Sequence, residues 1–300
     1  MDEDEELARQ RLGAMVGVWR LERLLGVGGM SAVFAGRRAD GVVAAVKLLH
    51  PYWAEIEEVR QRFLLEGPIG SALALVAPLC QGLPQVYEAG RTPDGTVYLA
   101  MEYCDGRTLF DRLVQEGPMP PGQAIWMALA VLDVLVVAHS HGIIHRDIKP
   151  ENIVLLHSGA LKLLDFGVAR ILGGLPDGMP LPEKARTRTG TVIGSAHYMA
   201  PEQALGKVRE IDGRTDLYGL GATLFHALSG KQLYGGLTDA ALLIAAATRD
   251  APSLATVAPG LPTLLVSVVD RCLRKERADR YPDAATLRAD LVAVKRSTLG

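Results

Sequence analysis

The reading turns on His145-Arg146-Asp147-Ile148-Lys149-Pro150-Glu151-Asn152. This stretch places a carboxylate, an ammonium group and an amide oxygen close together in Asp147, Lys149 and Asn152. Moving a phosphoryl group onto a hydroxyl calls for those three: a carboxylate beside the hydroxyl, a cation near the phosphate, and hard oxygen ligands for a divalent metal. A solvated mixed-charge turn would contain the same residue types, so the flanking sequence has to choose between the two.

The chain has 300 residues, 49% apolar and 22% charged, a globular composition with room for one two-lobed unit or two small domains. A net charge of −2 gives no reason to expect nucleic acid or an anionic membrane as partner. Cys80, Cys104 and Cys272 are widely spaced and form no metal-ligand pattern, which suits free thiols in a reducing compartment; a cytoplasmic location is expected. The opening Met1-Asp-Glu-Asp-Glu-Glu6 is acidic, where an export signal begins basic. The most apolar run, 124–138, is broken by Asp133 and falls short of the roughly twenty residues a bilayer requires, so it reads as a core helix. No membrane segment is expected within the chain.

Hydrophobic patterning changes character along the sequence. Trp19–Leu25, Ala32–Arg37 and Val42–Leu48 are short and β-branched, with Asp40-Gly41 turning between the last two. A helical stretch begins near Trp53, followed by strands at Gln85–Arg91 and Thr96–Glu102 around the turn 92–95. Beyond Asp105-Gly106 the pattern is helical, at Ala124–His141, 213–229, 238–248, 261–273 and 283–296. Residues 171–195, rich in Gly, Pro, Thr and basic residues, read as a loop. The expected organisation is an acidic stretch over 1–15 that reads as a flexible tail or a short helix, a strand-rich lobe over 16–103 and a helical lobe over 104–297, with a cleft between the lobes.

Several motifs flank the octapeptide. Gly26-Val27-Gly28-Gly29-Met30-Ser31 lies between the first two strands, where missing side chains let backbone N–H groups approach a phosphate. It lacks the strand-to-helix setting of a dinucleotide site and the Gly-Lys-Ser/Thr ending of a P-loop. Ala45-Val46-Lys47 closes the third strand, and Glu66 sits in the following helix. The apolar segment Leu161–Leu164 ends on Asp165-Phe166-Gly167, thirteen residues after Asn152, so two oxygen ligands converge on one metal if a short hairpin joins them.

Taken in order, the glycine loop, Lys47, Glu66, 145–152, Asp165-Phe166-Gly167 and Ala200-Pro201-Glu202 resemble the signature set of the protein kinases, over nearly the whole span from Trp19 to Val294. Asp216, Gly221 and Arg280 add to the resemblance. The local forms Gly-Val-Gly-Gly-Met-Ser and Val192-Ile-Gly-Ser-Ala-His-Tyr-Met-Ala-Pro-Glu-Gln203 are most similar to the eukaryotic-like Ser/Thr kinases of bacteria.

The resemblance implies an α+β, bilobal protein-kinase fold: a small β-rich N-lobe with one main helix, a larger helical C-lobe, and an activation segment over 165–202. It implies a Ser/Thr kinase using ATP with Mg²⁺, or Mn²⁺ as an alternative. By matching position, Asp147 accepts the substrate proton, Lys149 attends the γ-phosphate, and Lys47, paired with Glu66, holds the α- and β-phosphates. Asn152 and Asp165 hold the metal. Val33, Ala45 and Val154 clamp adenine beside the backbone of Glu102 and Cys104, with Met101 gating the pocket behind. Arg146 implies control through phosphates on Thr189 and Thr187, Ser195 stands where a Thr contacts the catalytic Asp and Lys, and Glu202 pairs with Arg280. His145 and Phe166 read as packing residues. The implied partners are proteins phosphorylated on Ser or Thr, phosphothreonine-binding domains, and a second copy of the chain for autophosphorylation in trans.

Ser31 replaces the third loop glycine, and residues 70–84 run longer than this region usually does. Gly67-Pro68, directly after Glu66, predicts a helix that bends or starts late and a Lys47–Glu66 pair unformed at rest, because Pro68 lacks an N–H. A competing reading from another class is a pseudokinase scaffold that binds nucleotide or partners without turnover.

Overall fold

The computed structural model describes residues 3–76, 82–165 and 194–299. Strands β1 (Met15–Val16), β2 (Trp19–Val27), β3 (Ser31–Arg37), β4 (Val43–Leu49), β5 (Val86–Arg91) and β6 (Val97–Glu102) form an antiparallel sheet in the order β1-β2-β3-β4-β6-β5. Register pairs Val33 with Lys47 and Ala45 with Met101. Because residues two apart share a face, all four lie on one side of the sheet. The other side carries Phe34, Val46 and Ala100, buried with Trp19 and Tyr98.

Of the two expectations for the acidic N-terminus, residues 3–10 take the helical one, as α1 (Glu3–Gln10). Its acidic first turn suits a helix N-terminus. Ala8 joins the outer cluster with Trp19 and Phe34, and Asp4 is also buried. One apolar and one polar contact on a single helical face are too few to give a readable periodicity. A short helix, α2 (Pro51–Ala54), leads into α3 (Glu57–Val76), which covers the inner face with Val59 and Phe63 against Val97, Leu99 and Met101.

The late start expected from Gly67-Pro68 does not occur: α3 begins at Glu57 and runs through the step to Val76. Gly67 faces the sheet so closely that an added Cβ would come within 3.2 Å of Leu99 and 3.3 Å of Ala89. Close docking on β5 and β6 therefore supports the helix where one backbone hydrogen bond is missing.

Beyond residue 105, strands β7 (Gly106–Thr108), β8 (Ile153–Leu156) and β9 (Leu161–Leu163) make a second sheet, beside α4 (Leu109–Glu116) and α5 (Pro121–Ser140). Then come α6 (Pro201–Ala204), α7 (Gly213–Ser229), α8 (Asp239–Thr248), α9 (Leu254–Val257), α10 (Thr263–Cys272) and α11 (Ala284–Leu299). The long helices fall within a few residues of their predicted bounds. By length and composition α5 could cross a membrane, but apart from the exposed Trp126 its apolar residues from Ala124 to Ala138 pack into the core shared with α7 and α11. Helix α7 is buried on every side from Thr215 to Leu228 and forms the axis of this lobe. It starts at the Asp212 cap and stops at Gly230, whose φ of 71° closes the helix.

A buried ion pair lies inside this lobe. Arg280, 2% exposed, meets Glu202, 3% exposed, through two parallel hydrogen bonds of 2.8 Å. Thr215 adds a third to the carboxylate at 2.7 Å, and the guanidinium also donates to the carbonyls of Arg274 and Lys275. Burial alone would raise the Glu202 carboxyl, but the bonds from Arg280 hold it below the usual range. Glu202→Ala leaves the guanidinium buried without its anion and should cost about 3–5 kcal/mol in urea unfolding. A carboxyl depressed in the folded state adds stability that is complete above its unfolded pKa and lost as pH falls through the folded value. The variant's deficit should therefore shrink in acid; a deficit independent of pH would contradict the assignment.

Candidate active site

Residues 145–152 run from α5 to β8, ending in the turn Pro150–Asn152. The loop is held from below by Asp216, a carboxylate 1% exposed in the first turn of α7. Asp216 accepts the backbone N–H groups of His145 at 2.8 Å and Arg146 at 2.7 Å, and His139 of α5 reaches it at 2.8 Å. Two N–H groups converging on one carboxylate require a sharp bend, and Arg146 supplies it with a φ of 68°. Its carbonyl then accepts from the Gln203 amide at 2.8 Å.

His145 is fully buried. Its Nε2 lies 2.8 Å from the Leu164 carbonyl, and its Nδ1 accepts the Asp147 N–H at 3.3 Å. Each nitrogen has a fixed task, and burial lowers the imidazole pKa, so the ring is a neutral clamp between the loop and the end of β9. The packing role expected for His145 thus includes two hydrogen bonds.

The side chains of Lys149 and Asn152 gather on Asp147. Its Oδ2 lies 2.9 Å from Lys149 Nζ and accepts from Asn152 Nδ2 at 3.0 Å; the same amide nitrogen donates to the Asp147 carbonyl at 2.8 Å. Those bonds leave the Asn152 amide oxygen turned away from Asp147. The Asn152 carbonyl accepts the Leu164 N–H at 2.7 Å, and Asp165 follows with a φ of 53°. Its Oδ1 accepts from Lys47 Nζ at 2.9 Å, joining β4 to the end of β9. Lys47 is 7% exposed and sits 5.6 Å from the Phe63 ring centroid.

Val33 and Ala45 share the sheet face of Lys47, and Met101 pairs directly with Ala45. Glu102 ends β6, with Cys104 two residues on, while buried Val154 belongs to β8. Glu102 also carries contacts that no motif announced. Lys162 of β9 donates to its carboxylate and to the Leu83 carbonyl, both at 2.8 Å, and Gln85 N–H donates to the same carboxylate at 3.0 Å. A lysine inside the short apolar strand Leu161–Leu163 was its only signal in the sequence. His139 and Gln203 were also missed, because their partners are distant in sequence. Phe166, Gly167, Thr187 and Thr189 lie outside the described residues, as do the side chains of Glu66 and Ser195, so the Lys47–Glu66 pair is not described.

The protein kinase domain profile matches residues 19–290. The chain belongs to the protein kinase family. It is 36% identical over 282 residues to the serine/threonine-protein kinase Pkn1 of Myxococcus xanthus, and 37% identical over 284 residues to the serine/threonine-protein kinase PknB of Mycobacterium tuberculosis. Each match covers 92% of this chain but 38% and 42% of the relative, so the chain spans about two fifths of their length. The fold is similar to the kinase domain of PknI from Mycobacterium tuberculosis, with a TM-score of 0.68 at 26% identity over 94% of this chain and 97% of the other. A double mutant of that domain gives 0.71 at 24% identity, over 94% of this chain and 98% of the other. The expected fold class, a β-rich N-terminal sheet with a helical C-terminal part, is borne out by these matches.

Cys104 is the hinge thiol of this kinase domain. Burial and the neighbouring Glu102 carboxylate push it up to about 11, and its Sγ points to the Glu102 carbonyl at 3.7 Å. At pH 7.5 it should therefore alkylate far more slowly than a free thiol, since the thiolate is the nucleophile. Peptide mapping after brief iodoacetamide treatment checks this, and labelling of the Cys104 peptide at the rate of free cysteine would contradict it.

Proposed function

We propose that the chain is an ATP-dependent Ser/Thr protein kinase that transfers the γ-phosphate of Mg-ATP to hydroxyls of protein substrates. One observation carries the reading: Asp147, Lys149 and Asn152 bond to one another while Lys47 of the sheet meets Asp165 of the helical lobe. These are the base, the cations and the metal-binding oxygens that phosphoryl transfer uses, gathered on one cleft.

Family membership implies ATP and a divalent metal, and the residues fit both. An added Cβ at Gly26 would meet nothing within 4 Å, and at Gly28 only the Ser31 carbonyl at 3.5 Å; neither has a positive φ. Packing does not demand glycine at either position, whereas close approach of a phosphate to the backbone does. Asp165 and the free end of the Asn152 amide are a hard-oxygen pair of the kind Mg²⁺ takes beside phosphates and water. The bound metal would offset charge on the β- and γ-phosphates.

In this reading Asp147 orients the Ser or Thr hydroxyl and takes its proton as the oxygen attacks the γ-phosphorus; that bond forms while the bond to the ADP oxygen breaks. Lys149, held by Asp147, sets a positive charge beside the transferring group. Lys47, bonded to Asp165, meets the α- and β-phosphates. Val33, Ala45 and Val154 flank the adenine and Met101 closes the pocket behind it. Arg146 clamps a phosphate on Thr189, with Thr187 as the companion site. Protein substrates, phosphothreonine-reading domains and a second copy acting in trans are the partners that follow.

Asp147→Asn should lower phosphate transfer to a generic basic protein by about 10²–10⁴-fold while nucleotide affinity changes little, measured with radiolabelled ATP and by direct binding. A wild-type chain that binds Mg-ATP but transfers nothing would instead support the pseudokinase reading. Phosphopeptide mapping after incubation with Mg-ATP should find phosphate within 187–191 in the wild type and none in Asp147→Asn. An unmodified loop in an active wild-type enzyme would rule out the assigned Thr sites.

A further inference from the structure

The turn after β4, His50-Pro51-Tyr52-Trp53, reaches over the glycine loop and captures its carbonyls one after another. His50 Nε2 lies 2.9 Å from the Gly28 carbonyl, Trp53 Nε1 donates to the Gly29 carbonyl at 2.8 Å, and the His50 backbone N–H donates to the Met30 carbonyl at 2.9 Å. The Tyr52 hydroxyl lies 3.1 Å from the Gly29 carbonyl, and its ring stacks on His50. Within a planar trans peptide, the C=O and the next N–H point in opposite directions. Holding the carbonyls of Gly28 and Gly29 toward the turn therefore aims the N–H groups of Gly29 and Met30 away from it.

The turn is itself braced by α1. Asp4, 4% exposed, lies 3.2 Å from the Tyr52 hydroxyl and 3.8 Å from His50 Nε2. Two acceptors, Asp4 and the Gly28 carbonyl, thus face the same imidazole nitrogen, which makes Nε2 a donor. The Gly28 carbonyl takes that proton at 2.9 Å, and the carboxylate beyond it adds negative potential that favours the same tautomer. Neither α1 nor this turn belongs to the residues given roles above.

We propose that Asp4 is a positioning residue for nucleotide binding: from α1, and through His50 and Tyr52, it holds the glycine loop with the Gly29 and Met30 N–H groups aimed at the phosphates. The proposal rests on the reading of that loop as the phosphate cradle. Loss of the Asp4 carboxylate should raise KM for ATP while leaving KM for the protein substrate and kcat nearly unchanged, because the loop touches neither the hydroxyl nor Asp147.

The test compares Asp4→Ala, Trp53→Phe and Asp4→Asn with the wild-type chain. Asp4→Ala and Trp53→Phe should each raise KM for ATP about three- to tenfold, the size of one net hydrogen bond, with faster amide exchange in peptides covering 26–31. Asp4→Asn keeps an acceptor oxygen and should restore both readouts to within about twofold of wild type. The inference is overturned if Asp4→Ala leaves ATP KM and exchange at 26–31 unchanged. It is equally overturned if Asp4→Ala moves ATP KM and protein KM together with a loss of global stability, which would mark a folding role only. The exchange measurement needs no nucleotide, so it still reports on the strut if the wild type fails to bind Mg-ATP and the kinase reading falls.

Discussion

A carboxylate sealed inside the helical lobe is the constraint from which the active-site geometry follows. Asp216 projects from the first turn of α7, the most enclosed helix of the fold, and accepts N–H groups from two consecutive loop residues. Leaving such a charge unmet in the interior would cost several kcal/mol, so the loop backbone has little freedom to move away. The left-handed turn at Arg146 is what lets both N–H groups face one side chain. Once the bend is set, His145 enters the core, Asp147 faces Lys149 and Asn152, and the Asn152 carbonyl receives Leu164. Backbone strain of this kind persists only where surrounding contacts over-determine it, and Asp216, Gln203 and Leu164 supply those contacts.

The two lobes are joined by side chains as well as by the chain itself. Lys47 to Asp165 crosses the cleft at its centre, and Lys162 to Glu102 and to the Leu83 carbonyl crosses it at the hinge. Lys47 and Lys162 are largely withdrawn from water, so these pairs are less screened than surface ion pairs and constrain how the sheet sits over the catalytic loop. Glu202–Arg280 has a different place. It ties the segment entering α6 to the chain beyond α10 and, through Thr215, to the turn that holds Asp216. The 145–152 loop and the segment at α6 are therefore both anchored to the first turn of α7, one through Asp216 and the other through Thr215.

Many strands and the long helices were legible because a face buried against a layer writes its period into successive residues: two along β5 and the start of β2, and close to four along α10. The octapeptide was legible because its groups act as near neighbours. The late start expected from Gly67-Pro68 does not occur, because a local rule about proline omitted the sheet face that Gly67 presses against. The acidic N-terminus left tail and short helix both open, because α1 gains its stability from a few contacts with strands and a turn far along the chain.

By itself the sequence determined the family, the two-part architecture, and the residue types placed for phosphate chemistry, since these depend on local periodicity and on motifs whose members lie within a few residues of one another. Tertiary structure alone decided which of those groups touch: Lys47 with Asp165, Asp216 with the backbone of 145–146, Lys162 with Glu102, and Asp4 with the turn above the glycine loop. Each of these bonds joins residues tens of positions apart. A charge or hydroxyl carries no mark in its own neighbourhood of the partner that burial will force on it. That partner is selected only when the layers close and water is excluded, making an unmet polar group more costly than a bent backbone.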